Sequence, residues 1–137
     1  MTDNEISRAI VDAAIEVHRT LGGPGLLESV YEEALACELQ LRGLDVRRQV
    51  YVPIPYKGRE LANPLRIDLL VDEKVIVESK ATTAYNPIFE AQVLTYLRLT
   101  GHRLGLVINF GERVVKDGLH RVVNGLEDPT PRRGLGD

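Results

Sequence analysis

The apolar positions of this chain change period along its length. Residues 5–21, EISRAIVDAAIEVHRTL, carry Ile6, Ala9, Ile10, Ala13, Ala14, Val17 and Leu21 at helical spacing, and Gly22-Gly23-Pro24-Gly25 ends the run. A second helical pattern extends from Leu26 to Arg42 and stops at Gly43. The period then shortens to two. Val46 to Pro55 alternates and is rich in β-branched residues, which predicts a strand, placed near a sheet edge by its prolines. YKGRELANP follows as an excursion or hairpin loop, and RIDLLVDEKVIVESKA, from Arg66 to Ala81, reads as two strands around a tight turn. Asn86-Pro87 starts a third helix, with Asn as N-cap and Pro in the first turn, and Gly101 ends it. Arg103 to Phe110 is a strand apolar enough to be central. Gly111 punctuates it, and two strand-like pieces, ERVVK and LHRVV, flank Asp117-Gly118 as a last hairpin. The order of elements predicts an α/β fold, a mixed sheet with helices packed on it.

Three charges stand out in the apolar hairpin. Successive side chains on a strand point to opposite faces. In the first strand Ile67, Leu69 and Val71 share one face, and Arg66, Asp68 and Leu70 the other. In the second, Val75, Val77 and Ser79 share one face, and Ile76, Glu78 and Lys80 the other. A three-residue loop, Asp72-Glu73-Lys74, pairs Val71 with Val75 and therefore Asp68 with Glu78, on the face that also carries Lys80. A two-residue loop would pair Asp68 with Val77 and scatter the charges, so burial of the all-apolar face selects the first register. Carboxylates directly opposite, with Cβ atoms about 4.5–5.5 Å apart, destabilise each other. Two readings follow. A divalent cation such as Mg²⁺ sits between them, or the face is solvated and Lys80 forms an incidental salt bridge.

Two helices add polar groups where core faces are expected. Glu28, Tyr31 and Leu35 fall at i, i+3 and i+7, which puts Glu28 on the inward stripe, where a carboxylate needs a partner. Its alternative is the favourable end of its own helix, since it lies in the first turn. Gln92 and Tyr96 fall at i and i+4 on one face with Ile88 and Leu99, where Gln92 could also serve only to satisfy a core tyrosine hydroxyl.

Composition narrows the choices. With 137 residues the chain predicts one domain over 1–125 and a frayed tail over 126–137, rich in Pro, Gly and charge and holding Arg132-Arg133. A formal charge of −3 and a pI near 5.6 exclude a globally basic nucleic-acid binder, so such a partner must use a local patch or metal ions. Arg47, Arg48, Lys57, Arg59 and Arg66 could form that patch, although each reads singly as solvated charge. No run is apolar enough to span a membrane, and MTDNEISRAI is acidic and polar where a signal peptide would be basic, then apolar. Cys37 is the single cysteine; it excludes an internal disulfide, fits a reducing cytoplasm and reads as a buried, inert thiol in its helix. His18 beside the first apolar stripe reads as a structural hydrogen-bonder, and Asn109 as a bond to neighbouring backbone.

Taken in order, these residues resemble the GxxExxY proteins, a branch of the PD-(D/E)XK nuclease superfamily. The naming motif stands as Gly25-x-x-Glu28-x-x-Tyr31, followed by Asp68, Glu78-x-Lys80 and Gln92-x-x-x-Tyr96; the last is similar to the QxxxY element of bacterial repair exonucleases. The likeness runs from about Ile10 to Val123; ExK alone is uninformative, whereas the ordered set is specific. It departs at Ile67, where the superfamily often has proline, and at Ser79, where an apolar residue is usual. The resemblance implies a restriction-endonuclease-like core, a mixed central sheet flanked by helices. It implies Mg²⁺ or Mn²⁺ on Asp68 and Glu78, with the Ser79 carbonyl as a further ligand and Glu28 joining directly or through water. Lys80 would activate the attacking water, and Gln92, Tyr96 and Tyr31 would position the site or substrate. The implied activity is phosphodiester hydrolysis, in DNA before RNA, by a cytoplasmic hydrolase with room for a homo-oligomer or protein partner. The competing reading is a catalytically silent member that keeps the fold to bind nucleic acid or protein.

Overall fold

Helix α1 (Asp3–Thr20) opens on a reciprocal cap: the Thr2 hydroxyl accepts from the Glu5 N–H at 3.1 Å, and the Glu5 carboxylate accepts from the Thr2 N–H at 2.7 Å. The computed structural model describes residues 1–126, so the expected tail lies outside the described residues from 127 onward. After α1 come α2 (Glu28–Leu41), β1 (Val46–Val52), a two-stranded excursion of β2 (Pro55–Tyr56) and β3 (Arg59–Glu60), and the hairpin β4 (Leu65–Val71) and β5 (Val75–Lys80). Helix α3 (Ile88–Thr100), β6 (Leu104–Asn109) and β7 (Leu119–Val123) complete the order.

The main sheet runs β1-β4-β5-β6-β7. Its β5–β6 pair is parallel and joined by α3, and its other pairs are antiparallel, so the sheet is mixed. As its prolines predict, β1 lies at an edge, and β6 lies inside with all six residues buried. Helices α1 and α2 cover one face, where Ile10, Val17, Leu35 and Leu39 meet Leu69, Val77 and Leu106. Helix α3 covers the other, where Val93 and Leu97 meet Ile67, Leu70, Ile76 and Val107. This is the expected α/β arrangement, a five-stranded mixed sheet between helices, consistent with a restriction-endonuclease-like core.

Three local expectations change. ERVVK is no strand: Val115–Gly118 forms a 3₁₀ turn, and LHRVV pairs with β6 instead. Gly118 packs so closely on Asn109 that a Cβ there would strike the Asn109 carbonyl, a tertiary contact that outweighs the local turn dipeptide. Cys37 is exposed, because the inward stripe of α2 is Tyr31, Leu35, Ala36 and Leu39. The third helix begins at Ile88, with Asn86 Oδ1 accepting from the Ile88 N–H at 3.0 Å.

Candidate active site

The hairpin takes the three-residue register. Val71 faces Val75, Leu70 faces Ile76 and Leu69 faces Val77. The Val71–Lys74 turn closes with a 3.0 Å hydrogen bond and carries positive φ at Asp72 and Glu73, 51° and 56°. Asp72 is anchored to Asp45 twice, by its N–H to the Asp45 carbonyl and by its carboxylate from the Asp45 N–H, both at 2.8 Å.

Beyond Leu69 and Val77 the regular ladder gives way to side chains. The Asp68 N–H donates to Glu78 Oε2 at 2.9 Å, and the Ser79 N–H donates to Asp68 Oδ2 at 3.0 Å. Each carboxylate is thus pinned by the backbone of the opposite strand. Asp68 is 3% and Glu78 8% exposed. Among the described residues no protein group donates to the remaining oxygen of either carboxylate. On the other side, β1 also breaks its pairing: Arg48 faces Leu69 and Val50 faces Ile67, while Gln49, between them, has φ of 53°. A non-glycine residue held in the left-handed region stores of order 1 kcal/mol, here directly across from Asp68.

Burial dominates the electrostatics. It pushes Glu78 up to about 8, helped by the Asp68 charge and opposed by the Asp68 N–H and by Lys80. Asp68 is also raised, first by burial, with the Ser79 N–H acting against it. Glu28 is raised as well, chiefly by loss of surrounding water, while the Lys80 charge lowers it. Tyr96 is raised by burial and then by the charges of Glu78 and Asp68.

The metal-free protein should therefore lose stability as pH rises. Glu78 favours the folded state most when protonated; its contribution is complete below its ordinary value of 4.5 and disappears as pH passes through about 8. The slope is at most about 1.4 kcal/mol per pH unit from this one group. Thermal unfolding in chelator between about pH 5 and 9 checks it, and Glu78→Gln should flatten the dependence.

The remaining expected residues divide. Lys80 is half-buried and, among the described residues, is in salt-bridge contact with no carboxylate. Glu28 is the first residue of α2 and exposed, so it stands at the rim instead of on the inward stripe. Ser79 is fully buried, and among the described residues its hydroxyl has no hydrogen-bond partner. Gln92 is exposed on α3 and Tyr96 half-buried, while Ile88 and Leu99 are solvent-facing instead of core. Tyr31 is core: its hydroxyl donates to the Gly23 carbonyl at 2.6 Å and accepts from the Leu26 N–H at 3.2 Å, and its ring stacks on Phe110 at 4.8 Å. It fixes the loop that delivers Glu28 to the rim. His18 is structural as expected, its Nε2 lying 3.2 Å from the Phe110 carbonyl and 3.0 Å from that of Glu112.

Sequence reasoning passed over Glu32. It is 5% exposed, accepts from Gln49 Nε2 at 2.8 Å and from Arg48 Nη2 at 3.3 Å, and its charge raises Asp68. The signal was present: Glu32, Leu35, Ala36 and Leu39 share one helical stripe. In the basic group, Arg47 is spent on Glu73 and Arg48 on Glu32, whereas Arg66 is exposed and its charge lowers Asp68 and Glu28.

Hard oxygen donors, buried in facing positions and, among the described residues, in contact with no ammonium, suit a small divalent cation that keeps waters for a phosphate. Two protein carboxylates converge here, and among the described residues no group of three metal-binding side chains does. A cavity of about 420 Å³ lies away from these carboxylates, lined by Ile15, His18, Gly23, Arg113 and Val115. Among the described residues no helix is long and apolar enough to cross a membrane.

A family model described as the PD-(D/E)XK nuclease superfamily matches residues 4–122. The chain belongs to the PD-(D/E)XK nuclease superfamily. Its members are generally nucleases that use divalent metals, and Asp68, Glu78 and Lys80 lie within the matched span of this PD-(D/E)XK chain. Among solved structures, the crystal structure of SSO0001 has a similar fold, with a TM-score of 0.53 and 15% identity over 72% of this chain and 50% of that one. The PD-(D/E)XK chain therefore spans half the length of that protein, and at such identity the likeness concerns the fold alone. No curated protein matches the sequence.

Proposed function

We propose that this protein is a metal-dependent nuclease of the GxxExxY branch, hydrolysing phosphodiester bonds in DNA before RNA. One observation carries the reading: two buried carboxylates face each other across β4 and β5, each pinned by the other strand's backbone, with no ammonium or guanidinium in contact among the described residues. A purely structural pair would be expected to be in contact with a cation or replaced by apolar residues.

Asp68 and Glu78 would hold Mg²⁺ or Mn²⁺, with the Ser79 carbonyl beside them and Glu28 reaching the ion through water. The ion supplies Lewis acidity toward the phosphoryl oxygen and eases deprotonation of the attacking water. The chain's own groups do the positioning. Lys80 presents its ammonium to the attacking water and to charge developing on phosphate. Arg66, exposed at the rim, binds a backbone phosphate, and Gln92 and Tyr96 orient the strand from α3. Tyr31 acts indirectly, through the loop that carries Glu28. Because the formal charge is −3, affinity rests on the ion and these few cations. DNA is preferred on the likeness of Gln92-x-x-x-Tyr96 to the repair-exonuclease element, and a lone thiol suits a reducing cytoplasm.

The purified protein should degrade plasmid, linear duplex or single-stranded DNA with Mg²⁺ or Mn²⁺ and stop when the ion is chelated. Metal binding without cleavage of any of these substrates, RNA included, would favour a silent binding module instead.

A further inference from the structure

Lys80 is surrounded by negative charge and touches none of it. It follows Glu78 by two on β5, so both leave the strand on one face. Its charge lowers Glu28, Asp68 and Glu78 alike. Yet its Nζ lies 4.5 Å from the centroid of the Phe89 ring and, among the described residues, makes no salt bridge.

Phe89 is placed to do this. It stands in the first turn of α3, and Phe89, Gln92 and Tyr96 fall at i, i+3 and i+7 on one helical stripe. Phe89 and Tyr96 both pack against the Ile67–Leu70–Ile76 cluster. The ring is braced from outside: Tyr85 meets it edge-on at 5.4 Å and 77°, and Tyr85 stacks on His120 at 4.0 Å. Both braces converge on Glu90, whose Oε2 accepts from the Tyr85 hydroxyl at 3.1 Å and lies 3.5 Å from His120 Nδ1.

We propose that Phe89 is a positioning residue for Lys80, its ring face holding the ammonium beside the Asp68–Glu78 pair and out of contact with it. An ammonium bound directly to the carboxylates would compete with a divalent cation for the same oxygens. A ring face attracts the charge through its quadrupole and takes up no carboxylate oxygen, so both the metal position and the lysine donors stay available for phosphate and water. The catalytic part of this inference rests on the nuclease reading; the placement of Lys80 does not.

Nuclear magnetic resonance and kinetics test it together. In the wild type the Lys80 ε-methylene protons should be shifted upfield by the Phe89 ring current. Phe89→Leu, which keeps an apolar side chain but removes the quadrupole, should abolish that shift. It should also lower kcat about tenfold while KM and the Mn²⁺ Kd change less than about twofold. Phe89→Tyr, which keeps the ring, should restore most of both. Lys80 protons at ordinary positions in the wild type would overturn the placement. So would a Phe89→Leu protein with undiminished kcat, or one in which kcat, KM and metal affinity fall together. A shifted methylene in a protein that cleaves no nucleic acid would uphold the placement and remove the nuclease reading instead.

Discussion

Replacing Asp68 with alanine is expected to reduce nucleic-acid cleavage by about 1000-fold or more while leaving the fold intact. On the proposed reading the loss is large because one residue would supply both an ion ligand and the acceptor that pins Ser79, which carries the motif between Glu78 and Lys80. Stability moves differently. The substitution leaves the Ser79 N–H unpartnered, at a cost of about 1 kcal/mol, but removes a desolvated carboxylate that repels Glu78. Thermal unfolding should therefore change by only a few degrees, or shift upward, while activity disappears. Equal loss of activity and folding would make Asp68 a structural residue. The same opposition should hold for Glu78→Gln, because Glu78 is the more strongly raised group and has more to gain from losing its charge.

Gly111→Ala should cost the fold heavily for the addition of a single methyl. A Cβ at Gly111 would meet the Thr82 carbonyl oxygen and lie 2.7 Å from its amide nitrogen, both backbone atoms that cannot rotate away. Thr82 is itself tied in place. Asn109 Oδ1 accepts from the N–H groups of Thr82 and Gly111, and Asn109 Nδ2 donates to the Thr82 carbonyl, all at 3.0 Å. The Phe110 N–H donates to the Lys80 carbonyl at 2.7 Å, so the latch holds the chain as it leaves Lys80. The expected cost is about 3 kcal/mol, roughly 10 °C in Tm, with cleavage reduced because Lys80 is displaced. Gly105→Ala makes a comparison: its added methyl would press most closely on a side-chain methyl of Val93 and not on backbone, so the loss should be smaller. A Gly111→Ala protein as stable as Gly105→Ala would contradict the latch.

How far the sequence discloses this molecule depends on the range of the contacts involved. Loop length is local, and it suffices for the β4–β5 register up to Leu69 and Val77, next to which Asp68 and Glu78 are joined through backbone hydrogen bonds. Parity fails at Ile67, expected beside Leu69 and Val71 but packed with Leu70 and Ile76 under α3, where Gln49 of the neighbouring strand leaves the extended conformation. Nor does it say what covers a face: the sequence left the charged face either solvated or bridged by a cation, and α3 lies over Leu70 and Ile76 on that side. Glu28 misleads for a related reason: as the first residue of α2 it has no preceding turn to hold it inward, and Glu32, one turn later, takes the buried position. What makes that burial tolerable, Arg48 and Gln49, arrives from β1, beyond the reach of helical periodicity. The failed last hairpin is another long-range effect, since Asp117-Gly118 is a good local turn until Gly118 is pressed against Asn109. Asn109 and His18 were legible as hydrogen-bonders, but their partners, Thr82 and the Phe110 and Glu112 carbonyls, needed the fold. Phe89 carried a readable signal, three and seven residues ahead of Gln92 and Tyr96, and only the position of the Lys80 ammonium gives it meaning.

Calorimetric titration of Mn²⁺ into the wild type and Asp68→Ala, in buffers of different ionisation enthalpy, tests the facing carboxylates most directly. The wild type should bind with release of protons near neutral pH, because Glu78 is held up to about 8 and must ionise to accept the ion. Asp68→Ala should show neither binding nor proton release. A wild type that binds no Mn²⁺, or an Asp68→Ala protein that binds it equally well, would contradict a metal site between β4 and β5.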